Sequence, residues 1–442
     1  MTDPGPDTIF ALASGAGRSA VAIVRLSGPG SRFALETIAG TCPAPRQAVL
    51  RKLRHPVSHR LLDEALVLFF AGPRSETGED CAEFQLHGSR AVVRSVVDAL
   101  AELPGFRAAD PGEFALRALR NGKIDLLGLE SLADLIDSDT ELQRQQAIEG
   151  GGRALRDTAE AWRQMLIDVH ADLAAEIDFA DEDDVSRHLD STVERTLMQL
   201  QTALVTALDR SRHAEQVREG FRVALVGRPN SGKSSLINAL AGRDVAIVSA
   251  VPGTTRDRIE IALDLAGMPV IVTDTAGLHE TTDVIEQEGM RRSVEAGRAA
   301  DLVLWLVAPG EGVPLVDASF AAEKVRVLAT KSDCCSDAAN GTEWHRVSVF
   351  QQDTIDGLIA KIADLAVASF GGCEPGLITR SRQRALIEMA VGEVSLARSA
   401  VGSIEMCAEH VRLATVALDR LVGRVDIEDV LGAVFSRFCV GK

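Results

Sequence analysis

The run Gly227-Arg228-Pro229-Asn230-Ser231-Gly232-Lys233-Ser234-Ser235 constrains this chain more than any other segment. It reads GxxxxGKS, directly after an apolar run at residues 222–226 and directly before a helical pattern, which is the context that gives such a motif its meaning. Glycines let backbone amides turn toward a phosphate chain, and a helix N-terminus adds partial positive charge. Lys233 can neutralise β- and γ-oxygens, and the Ser234 hydroxyl can ligate Mg²⁺. Alone, the motif specifies phosphate; a glycine turn with a chance lysine is the plain alternative.

Three further motifs narrow the ligand. In Gly253-Thr254-Thr255-Arg256-Asp257, Thr255 can complete the Mg²⁺ shell. Asp274-Thr275-Ala276-Gly277 ends an apolar run, as a metal-side carboxylate with a γ-phosphate-sensing glycine does. Thr330-Lys331-Ser332-Asp333 ends another strand pattern at residues 325–329. A carboxylate at Asp333 accepts two hydrogen bonds from guanine N1 and N2, donors that adenine lacks, so it selects GTP over ATP. Four motifs in this order resemble the TRAFAC class of P-loop GTPases. Most relatives have Asn where this chain has Thr330; a hydroxyl replaces one amide contact, which predicts altered affinity with guanine choice retained. Ser348-Val349 is the weak match to the next base-binding element.

The residue after the third motif, often a water-orienting Gln, is Leu278, which cannot hydrogen-bond a nucleophilic water. Asn230 and the stretch Val248-Ser249-Ala250-Val251-Pro252-Gly253-Thr254 offer a substitute, a site for a monovalent cation that stabilises developing charge. Equally, Asn230 tolerates a left-handed loop and the stretch is an ordinary switch.

Periodicity organises the rest. Strand-like runs at 20–26 and 65–70 with helical spacing at 90–100 predict an α+β unit. From residue 124 to 216 apolar residues such as Trp162, Leu166, Val169 and Leu173 recur at three- and four-residue steps, which predicts helices. Gly150, Gly151 and Gly152 interrupt them, and since each glycine costs roughly 1 kcal/mol against Ala in a helix interior, a break is expected there. The acidic run at 181–184 reads as an exposed helix end. Residues 370–376 read as an exit linker, and residues 378–438 are again helical. Helices on both sides of an α/β unit imply that the unit is inserted into a helical domain. Arg380, Arg382 and Arg384 are a candidate phosphate contact for RNA, and equally a solvated helix start.

A chain of 442 residues needs several cores, and 46% hydrophobic with 25% charged residues describes a folded chain. Against 64 acidic residues stand 47 Lys and Arg, a net −17 that excludes nucleic-acid binding by bulk positive charge. Seven cysteines without a CxxC pair read as cytosolic thiols. The opening residues lack the pattern of a secretory signal, and apolar runs such as 302–308 fall short of the ~20 residues that span a bilayer, so neither export nor membrane passage is expected.

Matches outside the nucleotide unit carry a closer resemblance. They include Asp7-Thr8-Ile9, Val24-Arg25-Leu26-Ser27-Gly28, Thr77-Gly78-Glu79-Asp80, Pro111-Gly112-Glu113-Phe114, Asn121-Gly122-Lys123-Ile124-Asp125-Leu126 and the tail Phe438-Cys439-Val440-Gly441-Lys442. With these the chain resembles the MnmE (TrmE) family of tRNA modification GTPases over essentially its whole length. Residues 14–20 depart from the family's usual PPGRG. The resemblance implies a multidomain α/β and α protein: an N-terminal α+β folate-binding and dimerisation domain at 1–122, a helical domain at 123–218 and 379–442, and an inserted Ras-like P-loop GTPase α/β domain at 219–378. It implies a cytoplasmic homodimer whose FAD-dependent partner, MnmG, joins it in a heterotetramer or larger assembly. Together they would place an aminomethyl or carboxymethylaminomethyl group on C5 of the wobble uridine of certain tRNAs, using GTP and a 5-formyltetrahydrofolate-type donor.

By position, the resemblance assigns folate contacts to Arg25, Glu83, Lys123 and Lys442. It assigns K⁺ to Asn230, Ser249, Val251 and Thr254, and Mg²⁺ to Ser234 and Thr255. Glu286 would orient the hydrolytic water, and Cys439 would be the functional thiol. The GTP site would comprise residues 230–235 and 249–255, Asp274 to Gly277, and Thr330, Lys331 and Asp333. A competing expectation is a GTP-dependent assembly switch with no modification chemistry of its own.

Overall fold

The computed structural model of the chain describes residues 7–15, 17–150, 152–178, 183–228, 230–243, 245–247, 259–274, 297–310, 322–334, 344–370 and 376–425. The chain divides into two compact units, residues 1–133 with 416–442, and residues 134–415.

In the first unit, β1 (Thr8–Leu12), β2 (Ser19–Ser27), β3 (Val49–Arg54), β4 (Leu61–Phe70), β5 (Cys81–Gly88) and β6 (Phe106–Ala108) form a sheet in the order β3-β4-β5-β2-β1-β6. Neighbours are antiparallel except β1 and β6. The pattern of β4 explains the layering. Ala65, Val67 and Phe69 are buried while Leu66 between them is exposed, the alternation of a sheet covered on one face. The helices α1 (Ser31–Ala39) and α2 (Arg90–Ala101) cover that face, with Leu35, Ile38, Val96 and Leu100 packed on Phe69 and Phe84.

An ionic network ties the start of β1 to α3 (Glu113–Arg120). Arg117 donates to Asp7 Oδ1 at 2.7 Å, Glu113 Oε1 at 3.0 Å and Glu79 Oε2 at 3.1 Å, and Arg107 donates to Glu113 Oε2 at 2.8 Å. Burial alone pushes the Asp7 and Glu113 carboxyls up, but the two guanidiniums outweigh it and hold both below their ordinary values. Depressed carboxylates stabilise the fold fully above their unfolded pKa, and the contribution is lost as pH falls through the folded values. The unfolding midpoint of the full chain in urea should therefore drop between about pH 5 and pH 2. Arg117→Met should cost about 3 kcal/mol at neutral pH, because it strands buried charge, and should flatten that acid dependence. An unchanged acid slope in the variant would assign the loss to other carboxylates.

The second unit begins at Asp134, within α4 (Leu126–Ile136), and continues with α5 (Glu141–Gln145), whose start carries a capping box between Thr140 and Gln143. A π-helical turn, Gln146–Gly150, interrupts the α-helical pattern as it enters the glycine run, and α6 (Gly152–Asp178) starts on the last of the three glycines, with Gly151 outside the described residues. Trp162, Leu166, Val169 and Leu173 are all buried on α6. The acidic run straddles the start of α7 (Asp183–Glu219), with residues 181–182 outside the described residues. Helix α7 packs along α6 and along a later helix at residues 381–399.

Gly220 adopts φ +80° after α7, and β7 (Phe221–Gly227) opens the α/β part. Next come α8 (Lys233–Ala241), β8 (Ala246–Ile247), β9 (Ile259–Leu265), β10 (Met268–Asp274), β11 (Leu302–Val307), β12 (Val325–Ala329) and β13 (His345–Arg346). The sheet order is β13-β12-β11-β7-β10-β9-β8. Strands β10, β7, β11 and β12 run parallel, and Val223, Ala224, Leu225 and Val226 are consecutively buried, as expected where both faces are covered. Between β9 and β10 the two-residue turn Ala266-Gly267 has φ +57° and +84°, the type I′ geometry that matches strand twist. Because β7 lies between β10 and β11, the loop leaving it sits where the strand order reverses, the crevice in which such sheets bind ligands.

The chain leaves this part through α9 (Gln352–Phe370) and returns to α10 (Ser381–Ser399) and α11 (Ile404–Val422). A Cβ on Gly376 would lie 2.7 Å from the Arg210 carbonyl oxygen, so glycine lets the returning chain run against α7. Asp134 Oδ1 accepts from both Arg218 and Arg380, and Arg384 pairs with Glu215. Two of the three arginines considered for RNA phosphate are thus engaged in ion pairs that join the entry and exit of the inserted part.

Candidate functional site

The phosphate loop is built from close backbone contact. A Cβ on Gly227 would lie 2.7 Å from both the Leu306 carbonyl oxygen and Ser231 Oγ, so only glycine fits where β7 ends. Asn230 and Gly232 adopt φ +63° and +99°. The loop therefore curls as the motif requires, and the left-handed conformation considered for Asn230 is present. Lys233, at the start of α8 and only 6% exposed, donates Nζ to the carbonyls of Gly227 and Arg228, both at 2.9 Å. The next residue, Ser234, donates Oγ to Asp274 Oδ2 at 3.0 Å. Asp274 is buried at the end of β10, so the first and third motifs meet. A hydroxyl and a carboxylate side by side are the hard oxygen donors that suit Mg²⁺, and both residues fit that ion.

A cavity of about 180 Å³ lies beside the loop, lined by Gly232, Ser235, Thr330, Lys331, Asp333 and Phe350 among others. Thr330 donates Oγ1 to the Ser231 carbonyl at 2.7 Å, and Lys331, at φ +54°, donates Nζ to the Asn230 carbonyl at 3.0 Å. The base-side motif is thereby stitched to the phosphate loop. Ser348 donates Oγ to Asp333 Oδ1 at 2.6 Å. That hydrogen bond, aided by a backbone donor, holds the exposed Asp333 carboxyl below its ordinary value, so it is an anion at neutral pH. The weak Ser348-Val349 match thus supplies the residue that orients the Asp333 carboxylate, and Val349 and Phe350 line the cavity.

A second cavity, of about 310 Å³, belongs to the first unit and is lined by Arg25, Arg46, Phe70, Arg74, Ser75, Glu76, Cys81 and Glu83. Arg25 on β2 and Glu83 on β5 are paired in register, and Arg25 reaches Glu83 Oε1 at 3.1 Å and Glu76 Oε2 at 2.6 Å. Lys123 donates Nζ to the Pro73 carbonyl at 2.9 Å, on the loop that carries Arg74, Ser75 and Glu76. Three residues far apart in sequence are thus brought to one cavity and its bordering loop. Arg46, Phe70 and Arg74 had no motif to mark them, because they meet only through the fold. Ser249, Ala250, Val251, Pro252, Gly253, Thr254 and Thr255, with Thr275, Ala276, Gly277, Glu286, Cys439 and Lys442, lie outside the described residues. Among the described residues no helix is long and apolar enough to cross a membrane.

Comparison with known proteins extends these observations. A family profile described as the MnmE helical domain matches residues 126–439, and one described as the GTP-binding protein TrmE N-terminus matches residues 8–123. The chain is 46% identical over 448 residues to the "tRNA modification GTPase MnmE" of Beijerinckia indica subsp. indica, covering 99% of this chain and 96% of the relative. It is 48% identical over 438 residues to the protein of the same description from Azorhizobium caulinodans, covering 99% of each. Among solved structures, the G domain of the T. maritima FeoB iron transporter matches at 24% identity and TM-score 0.25, over 33% of this chain and 98% of that one.

Proposed function

This chain belongs to the MnmE family of tRNA modification GTPases and is a GTP hydrolase; from that premise we propose that it couples GTP hydrolysis to a folate-linked modification of tRNA. The substrate is C5 of the wobble uridine in certain tRNAs, which receives an aminomethyl or carboxymethylaminomethyl group. It works as a cytoplasmic homodimer with the FAD-dependent protein MnmG. One observation carries the reading: a single chain combines a phosphate loop with a base-selecting carboxylate and, in its other unit, a charged cavity that a plain GTP switch does not require.

In the nucleotide unit, Lys233 neutralises phosphate oxygens, Asp333 accepts from the guanine edge, and Ser234 with Asp274 and Thr255 holds Mg²⁺. Asn230, Ser249, Val251 and Thr254 hold K⁺, which supplies positive charge that stabilises the transferring phosphoryl group. Glu286 orients the hydrolytic water, and Cys439 is the working thiol of the tail. In the first unit, Glu83, paired with Arg25, accepts from the donors of a reduced pterin, and Lys123 and Lys442 border the same ligand. The donor set fits that group, since its nitrogens need an anionic acceptor and Glu83 lines the cavity.

Mass spectrometry of tRNA nucleosides from a deletion strain tests the substrate: loss of the C5 modification is expected, and its persistence would leave only an assembly role. Replacing K⁺ by Na⁺ is expected to slow GTP hydrolysis by roughly tenfold or more, the effect of one electrostatic stabiliser. In Asn230→Ala the two salts should give similar rates. Equal rates in both salts for the unaltered chain would reject the cation site.

A further inference from the structure

The first-unit cavity holds more positive charge than the pairing of Arg25 uses. Glu83 and Glu76 both engage Arg25. The other two guanidiniums at the cavity, on Arg46 and Arg74, form no ion pair among the described residues. Arg46 is nevertheless held in place. Its backbone adopts φ +64°, a conformation costly for a residue with a side chain, while its amide donates to the Phe69 carbonyl at 2.8 Å. Its guanidinium donates to the Arg74 carbonyl and sits 5.9 Å from the centroid of the Phe70 ring. An ordered guanidinium with no carboxylate, beside an aromatic face in a cavity, is arranged to take an anion from a ligand.

The sheet register separates this corner from the Glu83 corner. Glu83 pairs with Arg25 and Leu68, whereas Phe70 pairs with Cys81, one side-chain row further along the face turned away from the core. Arg46 therefore addresses a different part of a bound molecule from the part that Glu83 addresses.

We propose that Arg46, with Arg74 beside it, anchors the carboxylate end of the ligand in this cavity, so that the site reads both the pterin and the glutamyl tail of a reduced folate. This rests on the reading of the cavity as the folate site. The two arginines then set affinity according to the tail, while Glu83 and Arg25 set the choice of ring.

Titration calorimetry on the full chain separates the two ideas. The probes are 5-formyltetrahydrofolate, its triglutamyl form and 5-formyltetrahydropteroate, which lacks the glutamate. The pteroate should bind roughly 10- to 100-fold more weakly than the monoglutamate, the worth of one charge-assisted contact. The triglutamyl form should bind at least as tightly as the monoglutamate. Arg46→Met should weaken the monoglutamate by the same factor and leave the pteroate unchanged, which also reports an intact cavity; Arg46→Lys should recover part of the loss. Equal binding of folate and pteroate, or an equal loss of both in Arg46→Met, would overturn the tail anchor while leaving the folate site standing. No heat with any probe would overturn the site and the anchor together.

Discussion

Lys233→Ala is expected to lower kcat/KM for GTP hydrolysis by roughly 10²- to 10³-fold, the effect of removing one positioned group that stabilises transition-state charge. Two things are lost together. The ammonium no longer neutralises phosphate oxygens, and the Gly227 and Arg228 carbonyls, which both accept from Nζ at 2.9 Å, lose that donor. Partial negative charge then lines the crevice where an anion must approach. Arginine should not restore the rate, because a planar fork does not reproduce a compact point charge on a side chain that is only 6% exposed. Single-turnover hydrolysis, with the thermal midpoint as a folding control, measures the effect. A variant within threefold of the parent would remove Lys233 from the phosphate site.

Asp333→Asn is the second large expectation, a loss of GTP affinity of roughly 10²-fold, measured by equilibrium titration with a fluorescent GTP analogue. The carboxylate offers two acceptors to two guanine donors, and an amide keeps one acceptor and turns a donor toward the other. Xanthosine triphosphate carries a carbonyl where guanine carries the amino group, so its affinity should rise, giving a swing in preference of roughly 10³-fold. The hydroxyl of Ser348 already polarises Asp333 at 2.6 Å, which makes this charge the fixed feature of the base site. Unaltered preference in the variant would place the guanine edge elsewhere.

Much of this was legible in the chain because the informative patterns are local. The run at 325–329 matches β12 residue for residue, and the apolar run at 222–226 is β7 with one residue added at each end. The steps of Trp162, Leu166, Val169 and Leu173 give the buried stripe of α6 because helical packing follows from spacing alone. Short edge strands such as β8 and β13, two residues each, were not legible, since main-chain pairing with a neighbour defines them and side-chain pattern does not. Charged clusters were read least well. Arg380 and Arg384 look like a basic patch in sequence, but Asp134 and Glu215, far away along the chain, pair with them. Arg46 gives the converse lesson: no motif contains it, and it reaches the cavity from the segment between α1 and β3 only because its hydrogen bonds to the Phe69 and Arg74 carbonyls hold it against β4 and the loop that follows. The nucleotide motifs were legible as contiguous runs; of these the first apart from Pro229, Asp274 of the third and the fourth fall on described residues, whereas residues 253–257 and 275–277 lie outside them.

The Thr330 hydroxyl bound to the Ser231 carbonyl has a kinetic corollary. This tie touches nothing that distinguishes a triphosphate from a diphosphate. Slackening it, as Thr330→Val would, is expected to shorten the residence of GTP and of GDP by one common factor. Exchange is then expected to quicken while the balance between the loaded and spent forms stays where it was, a result that stopped-flow release of fluorescent GTP and GDP would check.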